Sequence, residues 1–185
     1  SLTAVNSAGS GANVQAMGAG TADFAILQGL YGSYAATGTG PITEPQENMR
    51  AVTMLWFNVE QFVVAADQAP TGTVADMVAL KGKGAGMGAQ NSGTIESNRV
   101  LLAGLGIDID ADYNLVYAGY GPTADALANG QISAAGIPSG PPTGAITQLM
   151  AANQGKFTIL DVTDEQRAAM DGGRNLWVPY TIAAG

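Results

Sequence analysis

Apolar positions fall into short runs. Each is followed by a loop of Gly, Ser, Asn or Pro and then by a stretch of about ten residues with helical spacing. Leu2 to Asn6 reads as a strand, Ser7 to Gly11 as a loop, and Ala12 to Gly18 as a helix. Asp23 to Gln28 is a second, buried strand, followed by a helix through Tyr31 and Tyr34 that ends near Gly38. Thr39 to Asn48, with its prolines and glutamates, is a surface loop. Arg50 to Trp56 and Gln61 to Ala66 are strand-like, and Asp67 to Gly72 breaks the rhythm, which marks a boundary.

The alternation resumes at Val74. A short helix to Leu80 precedes a strand over Lys83 to Ala89, the loop Gln90 to Gly93 and a helix over Thr94 to Leu105. Tyr113 to Ala118 is a strand, and Gly119 to Thr123 opens a helix through Leu127. Ile132 to Ile137, Gly144 to Ala152 and Phe157 to Val162 read as strand, helix and strand, and Asp164 caps a last helix to Met170. Such alternation predicts an α/β architecture with a mainly parallel sheet.

Composition narrows the chemistry. The chain of 185 residues holds no His and no Cys, so disulfides, thiolate nucleophiles, imidazole metal sites and a Ser-His-Asp triad are excluded. No cofactor or metal is expected. The net charge of −8 argues against nucleic acid or anionic membrane as partner, since both are held through Lys and Arg. Charged residues make up 12%, about half the usual ~25%, and Gly, at 26 residues, is about twice as frequent as usual. The surface is therefore built of small polar residues and loops. The uncharged stretches over residues 1–22 and 126–155 are too rich in Gly, Asn, Gln, Ser or Pro to cross a bilayer. Opening at Ser1 rather than at an initiator Met suggests a processed or partial chain.

Four loops share one design, in which small residues end a strand and a helix starts at once: Ser7 to Gly11, Asn91 to Thr94, Gly119 to Thr123 and Ser139 to Thr143. A helix start carries unpaired N–H groups and about half a positive charge. Several converging on one cleft can hold a carboxylate without Lys or Arg. Each loop alone is also an ordinary helix cap. The Gly-rich run at residues 82–88 resembles a phosphate loop but falls within a strand, where small residues permit close packing. Met49, Met54, Met77 and Met87 are expected as gap-fillers, and Trp56, Phe57 and Trp177 as core or hinge packing. Tyr117 and Tyr120 flank a candidate loop, and Arg99 reads as a solvated side chain.

At these loops the sequence resembles the TAXI family, the extracytoplasmic solute receptors of TRAP transporters. Ser7-Ala8-Gly9-Ser10 with Asn13 is similar to the family's Thr-Gly-Gly-Ser loop, and Ala22 to Gln28 to its Ala-Asp-Phe-Ala-Ile-x-Gln strand. Leu80 to Lys83, Asn91 to Thr94 and Leu101 to Gly106 follow in family order. Ala124 to Leu127 with Gly130-Gln131-Ile132, Ser139 to Ile146, and Val178 to Ile182 complete the series.

The resemblance implies a type II periplasmic binding protein fold with two α/β lobes joined by a hinge. Lobe 1 would be residues 1–66 with 176–185 returning to it, and lobe 2 residues 67–175. It implies an incomplete lobe 1, lacking one ligand loop. The function expected is that of a periplasmic, non-enzymatic receptor. It would bind a small organic anion, such as a dicarboxylate or acidic amino acid, and deliver it to TRAP permease subunits. Ser7, Gly9, Ser10, Asn91, Ser92, Gly93 and Thr94 would donate to the carboxylate, Tyr117, Ser139 and Gly140 would line the far wall, and Gln28 would orient the ligand. Gly29 and Leu30 stand where many members carry an acidic side chain for an amino group. The alternatives are an enzyme on the same two-lobe fold and the effector-binding half of a transcription regulator.

Overall fold

A computed structural model describes residues 2–183. Five short strands form one sheet: β1 (Phe62–Ala65), β2 (Gly84–Gly86), β3 (Asn114–Leu115), β4 (Ala134–Gly136) and β5 (Phe157–Ile159), in the order β3-β2-β4-β1-β5. The helices are α1 (Ser10–Gly18), α2 (Gly29–Thr37), α3 (Gly93–Ala103), α4 (Ile109–Asp112), α5 (Tyr120–Ala128), α6 (Gly144–Ala152) and α7 (Asp164–Asp171). The α/β class read from the sequence is the class observed.

The sheet is not uniformly parallel. β2 runs parallel to β3 and β4, whereas β1 is antiparallel to both of its neighbours, β4 and β5. β2, β3, β4 and β5 are each followed by a helix that carries the chain back, which is what makes strands parallel. β1 lacks such a return. It enters from the side of α1 and α2, preceded by a bridge between Val59 and Ser139.

Strand periodicity sets the two cores. Phe62 and Val64 face a layer containing Met77, Met87, Leu102 and Ile109, while Val63 faces the other, with Leu127, Ile146 and Leu149. A third cluster lies apart from the sheet, where Val14 of α1 packs with Leu30, Tyr31, Tyr34 and Ala35 of α2 and with Ile42. The rings of Tyr31 and Tyr34 meet edge-to-face at 5.8 Å. Trp177 packs against both this cluster and the larger sheet core, so it joins the two bodies.

Several sequence-based expectations are corrected here. Leu2 to Asn6, Asp23 to Gln28 and Arg50 to Trp56 form no strand, because a strand needs a neighbour to pair with and none is offered among the described residues. Most of their large apolar side chains stay in solvent: Phe24 is 71% exposed, Met54 83% and Trp56 59%, and Phe57 is likewise exposed, while Leu27 packs against the α1–α2 cluster. Met54, Trp56 and Phe57 are therefore not core residues, whereas Met77 and Met87 are fully buried. Val74–Leu80 winds as a 3₁₀ helix. Thr163, not Asp164, caps α7, through a capping box with Gln166.

The Gly-rich run is a strand, as its sequence context indicated. Gly84 to Gly86 form β2, and a Cβ on Gly86 would lie 2.5 Å from Thr123 Cγ2. Asn98 of α3, fully buried, locks the helix onto the sheet by donating from Nδ2 to Met87 O (3.0 Å) and Gly136 O (3.2 Å). Asn98→Ala removes both bonds and is expected to lower the unfolding free energy by about 2 kcal/mol, measured by urea denaturation. An unchanged midpoint and slope would show that the pair contributes nothing.

Candidate functional site

Four helix starts open onto one cleft of about 690 Å³. Its walls include Gly9 and Ser10 at the start of α1, Gln28 and Gly29 at α2, Ser92 to Thr94 at α3, and Gly119 and Tyr120 at α5. For α3 and α5 the cleft lies at the carboxyl ends of the preceding strands, β2 and β3, where open α/β sheets hold ligands. A second hollow of about 500 Å³ touches Ile132, Ser133, Lys156 and Phe157 at the opposite strand ends, and α5 presents its C-terminal end there.

The helix starts are held together by specific contacts. Gly9 adopts φ 126°, which disfavours any side chain, and a Cβ there would lie 3.1 Å from the Cα of Ser92. Ser10 Oγ accepts from the backbone N–H of Gln28 at 3.0 Å, tying α1 to α2. Tyr120 donates to Pro138 O at 2.6 Å, and its oxygen lies 3.1 Å from Thr94 Oγ1, tying α5 to α3.

Electrostatically the cleft is one-sided. None of its lining residues carries a formal charge. What remains is four N-terminal dipole ends, each about half a positive charge, together with open first-turn N–H groups. Such an arrangement attracts anions.

The structure separates the expected residues into two groups. Gly9, Ser10, Gln28, Ser92, Gly93 and Thr94 line the cleft; Ser7, Asn91, Tyr117, Ser139 and Gly140 do not. Ser7 Oγ accepts from Gly9 N–H, shaping the loop from outside. Asn91 takes a left-handed turn (φ 58°) and donates to Gln15 Oε1 instead. Tyr117 is 47% exposed beyond the rim. Ser139 pairs its backbone with Val59, and Gly140 packs near Trp56.

Ser92 is in the wall, but its hydroxyl is occupied: it accepts from Ile95 N–H as the α3 cap and donates to Ala89 O at 2.7 Å. Arg99 is held by Glu96 and Asp110 rather than aimed at the cleft. Sequence reading missed Asn13 and Trp56 as lining residues. Asn13 follows Ser10 by nearly one helical turn, a signal that the helix reading over Ala12 to Gly18 already contained; Trp56 carried no such signal.

A partly buried network stands behind this wall. Gln28 Nε2 donates to Ser97 Oγ (3.4 Å), Ser97 Oγ lies 3.5 Å from Glu60 Oε2, and Trp177 Nε1 donates to Glu60 Oε1 (3.3 Å). Burial pushes the Glu60 carboxyl up to about 7, against the opposing effect of the bonds from Trp177 and Ser97. Among the described residues no group of three or more Asp or Glu could hold a metal ion, and no helix is long and apolar enough to cross a membrane.

Comparison with known proteins yields a family match over residues 1–185, to the NMT1-like family. Similar solved structures include the periplasmic aliphatic sulphonate binding protein SsuA from Escherichia coli (23% identity, 58% of this chain and 33% of that one, TM-score 0.43). A TctC solute binding protein from Polaromonas is 20% identical over 66% of this chain and 42% of its own, with TM-score 0.44. An ancestral arginine-binding protein bound to arginine is 16% identical over 80% and 65%, with TM-score 0.42. The chain thus spans less than half the length of the first two.

Replacing Ser92 by Ala removes the α3 cap while leaving the cleft's N–H donors in place. Urea denaturation should show a loss of about 1 kcal/mol; no loss would mean that the hydroxyl does not cap the helix.

Proposed function

The chain belongs to the NMT1-like family, and we propose that it is the ligand-binding part of a periplasmic solute receptor of the TAXI type, which holds a small organic anion and passes it to TRAP permease subunits. The supporting observation is the convergence of four helix starts on a cleft with no charged lining residue. Anion binding through N–H groups needs neither Lys nor Arg, which suits an acidic chain.

In this reading the α1–α2 body with the return after about residue 176 is lobe 1 and the sheet body is lobe 2; because β1 (Phe62–Ala65) lies in the sheet between β4 and β5, the boundary falls before β1 rather than at residue 66. Ser10 and Gly29, in the first turns of α1 and α2, present backbone N–H groups from lobe 1, and Gly93, Thr94 and Tyr120 present theirs from lobe 2; the N–H groups of Gly9 and Gln28 are already held by Ser7 and Ser10. The ligand stabilises the closed arrangement by bridging the two sets. Ser7 and Asn91 shape the loops that carry those donors, Ser139 and Gly140 follow Pro138, whose carbonyl anchors Tyr120, and Tyr117 stands at the rim. No bond is made or broken. A carboxylate such as 2-oxoglutarate, succinate or glutamate fits the donor set, and with Gly29 and Leu30 following Gln28 no acidic group is offered to an amino function.

Trp56 lines the cleft and reports on its contents. Titration with 2-oxoglutarate, succinate and glutamate, followed by Trp fluorescence and calorimetry, is expected to give at least one Kd below about 1 mM, with succinamide bound at least tenfold more weakly. Equal affinity for the neutral amide, or no binding by any of the acids, would overturn the assignment.

A further inference from the structure

Glu60 is a carboxylate that anion recognition leaves unused. It stands just before β1, where the chain passes from the α1–α2 body to the sheet, and Trp177 lies on the segment that joins the same two bodies again. The bond from Trp177 Nε1 to Glu60 Oε1 therefore ties both passages together. Through Ser97 and Gln28, the other carboxylate oxygen reaches the cleft wall.

The elements around Glu60 bring it no ion-pair partner among the described residues. On α3, Arg99 is committed to Glu96 and Asp110. Beside Trp177, Arg174 donates to the Asp171 carbonyl, and the Asp171 carboxylate accepts the backbone N–H groups of Asn175, Leu176 and Trp177. From α5 comes Tyr120, whose hydroxyl is pushed up chiefly by burial, with the Glu60 charge adding to the shift. A carboxyl without a counter-ion, raised to about 7, changes its charge near neutral pH.

We propose that Glu60 is the proton-linked positioning residue of the cleft: an anion bound against Gln28 and the helix starts draws one proton from solvent onto Glu60, and the protonated protein holds the anion more tightly. This rests on the anion-receptor assignment above. The balance is simple. The carboxylate takes up the proton and donates it to Ser97 Oγ, and the Ser97 proton turns to the Thr94 carbonyl, already at 3.2 Å. Trp177 keeps its bond to the other oxygen. The negative charge brought by the ligand is offset by the one lost at Glu60. Because the ligand favours the protonated form, protonation favours the ligand by the same factor.

The probe is 2-oxoglutarate, whose own carboxylates stay ionised throughout, titrated by calorimetry in two cationic buffers of different ionisation enthalpy. Wild-type protein is expected to take up a fraction of a proton on binding and to bind about fivefold more weakly at about pH 8 than at about pH 6. Glu60→Gln should bind as tightly as wild type at low pH and show neither effect. Binding without proton uptake in wild type overturns the coupling and leaves the anion assignment standing. No binding at any pH overturns both. An independent readout needs no Glu60 variant: in ligand-free Trp56→Phe protein, Trp177 fluorescence should titrate with a midpoint near 7, and a featureless trace between about pH 5 and about pH 9 overturns the proposal.

Discussion

The close approach of two helix starts is the constraint on which the rest of the site depends. Gly9, in a conformation that only glycine adopts easily, lies so close to Ser92 that a Cβ would crowd it. That contact points α1 and α3 at the same space. Ser10 then fixes the start of α2 through the Gln28 N–H, and Thr94 with Tyr120 fixes the start of α5. Each helix end carries partial positive charge, and bringing like ends together is unfavourable on its own. The fold offsets this repulsion with packing: Val14 and Leu30 hold α1 and α2 together, and Asn98 holds α3 on the sheet. In the proposed receptor, an anion in the cleft converts the same repulsion into attraction.

The sheet body was legible in the sequence because its strands and helices are local units. Gly144–Ala152 appears with the expected bounds, and the strands around Gly84, Ala134 and Phe157 fall inside the predicted runs. The direction of β1 was not legible, since alternation of elements says nothing about a strand that lacks a crossover helix. In the site, the loop chemistry marked Gly9, Ser10 and Ser92 to Thr94, because small residues before a helix are a local signal. Whether Ser139 or Trp56 faces the ligand depends on how the β1 passage sits beside β4, which no local pattern encodes. Glu60 was equally hidden: a lone Glu before a strand looks like any surface carboxylate until Trp177 and Ser97 close over it.

The extended segments of the α1–α2 body show the same limit from the other side. Val52, Met54, Leu55, Trp56 and Phe57 form an apolar run that reads as a strand, yet all five are exposed. Phe24 and Ile26, and Val178 and Tyr180, repeat the pattern in neighbouring stretches. β-Propensity reports fitness for a pleated, half-buried surface and does not supply the neighbour that makes one. Apolar exposure on this scale is concentrated in one body, while the sheet body buries its central strands β1, β2 and β4 on both faces.

The net charge of −8 acquires a mechanical meaning beside this cleft. At long range the protein repels an anion, so attraction has to come from sources that act over a turn of helix or less. Helix ends have that range, and a Lys or Arg side chain does not. A ligand gripped only by short-range donors on two opposed walls is held while the walls are together and loosened when they part. Affinity then follows the separation of α1 from α3 more steeply than it would around a fixed cation. The passages at Glu60 and Trp177 join the two walls, so in the proposed coupling the charge on Glu60 acts where that separation is set.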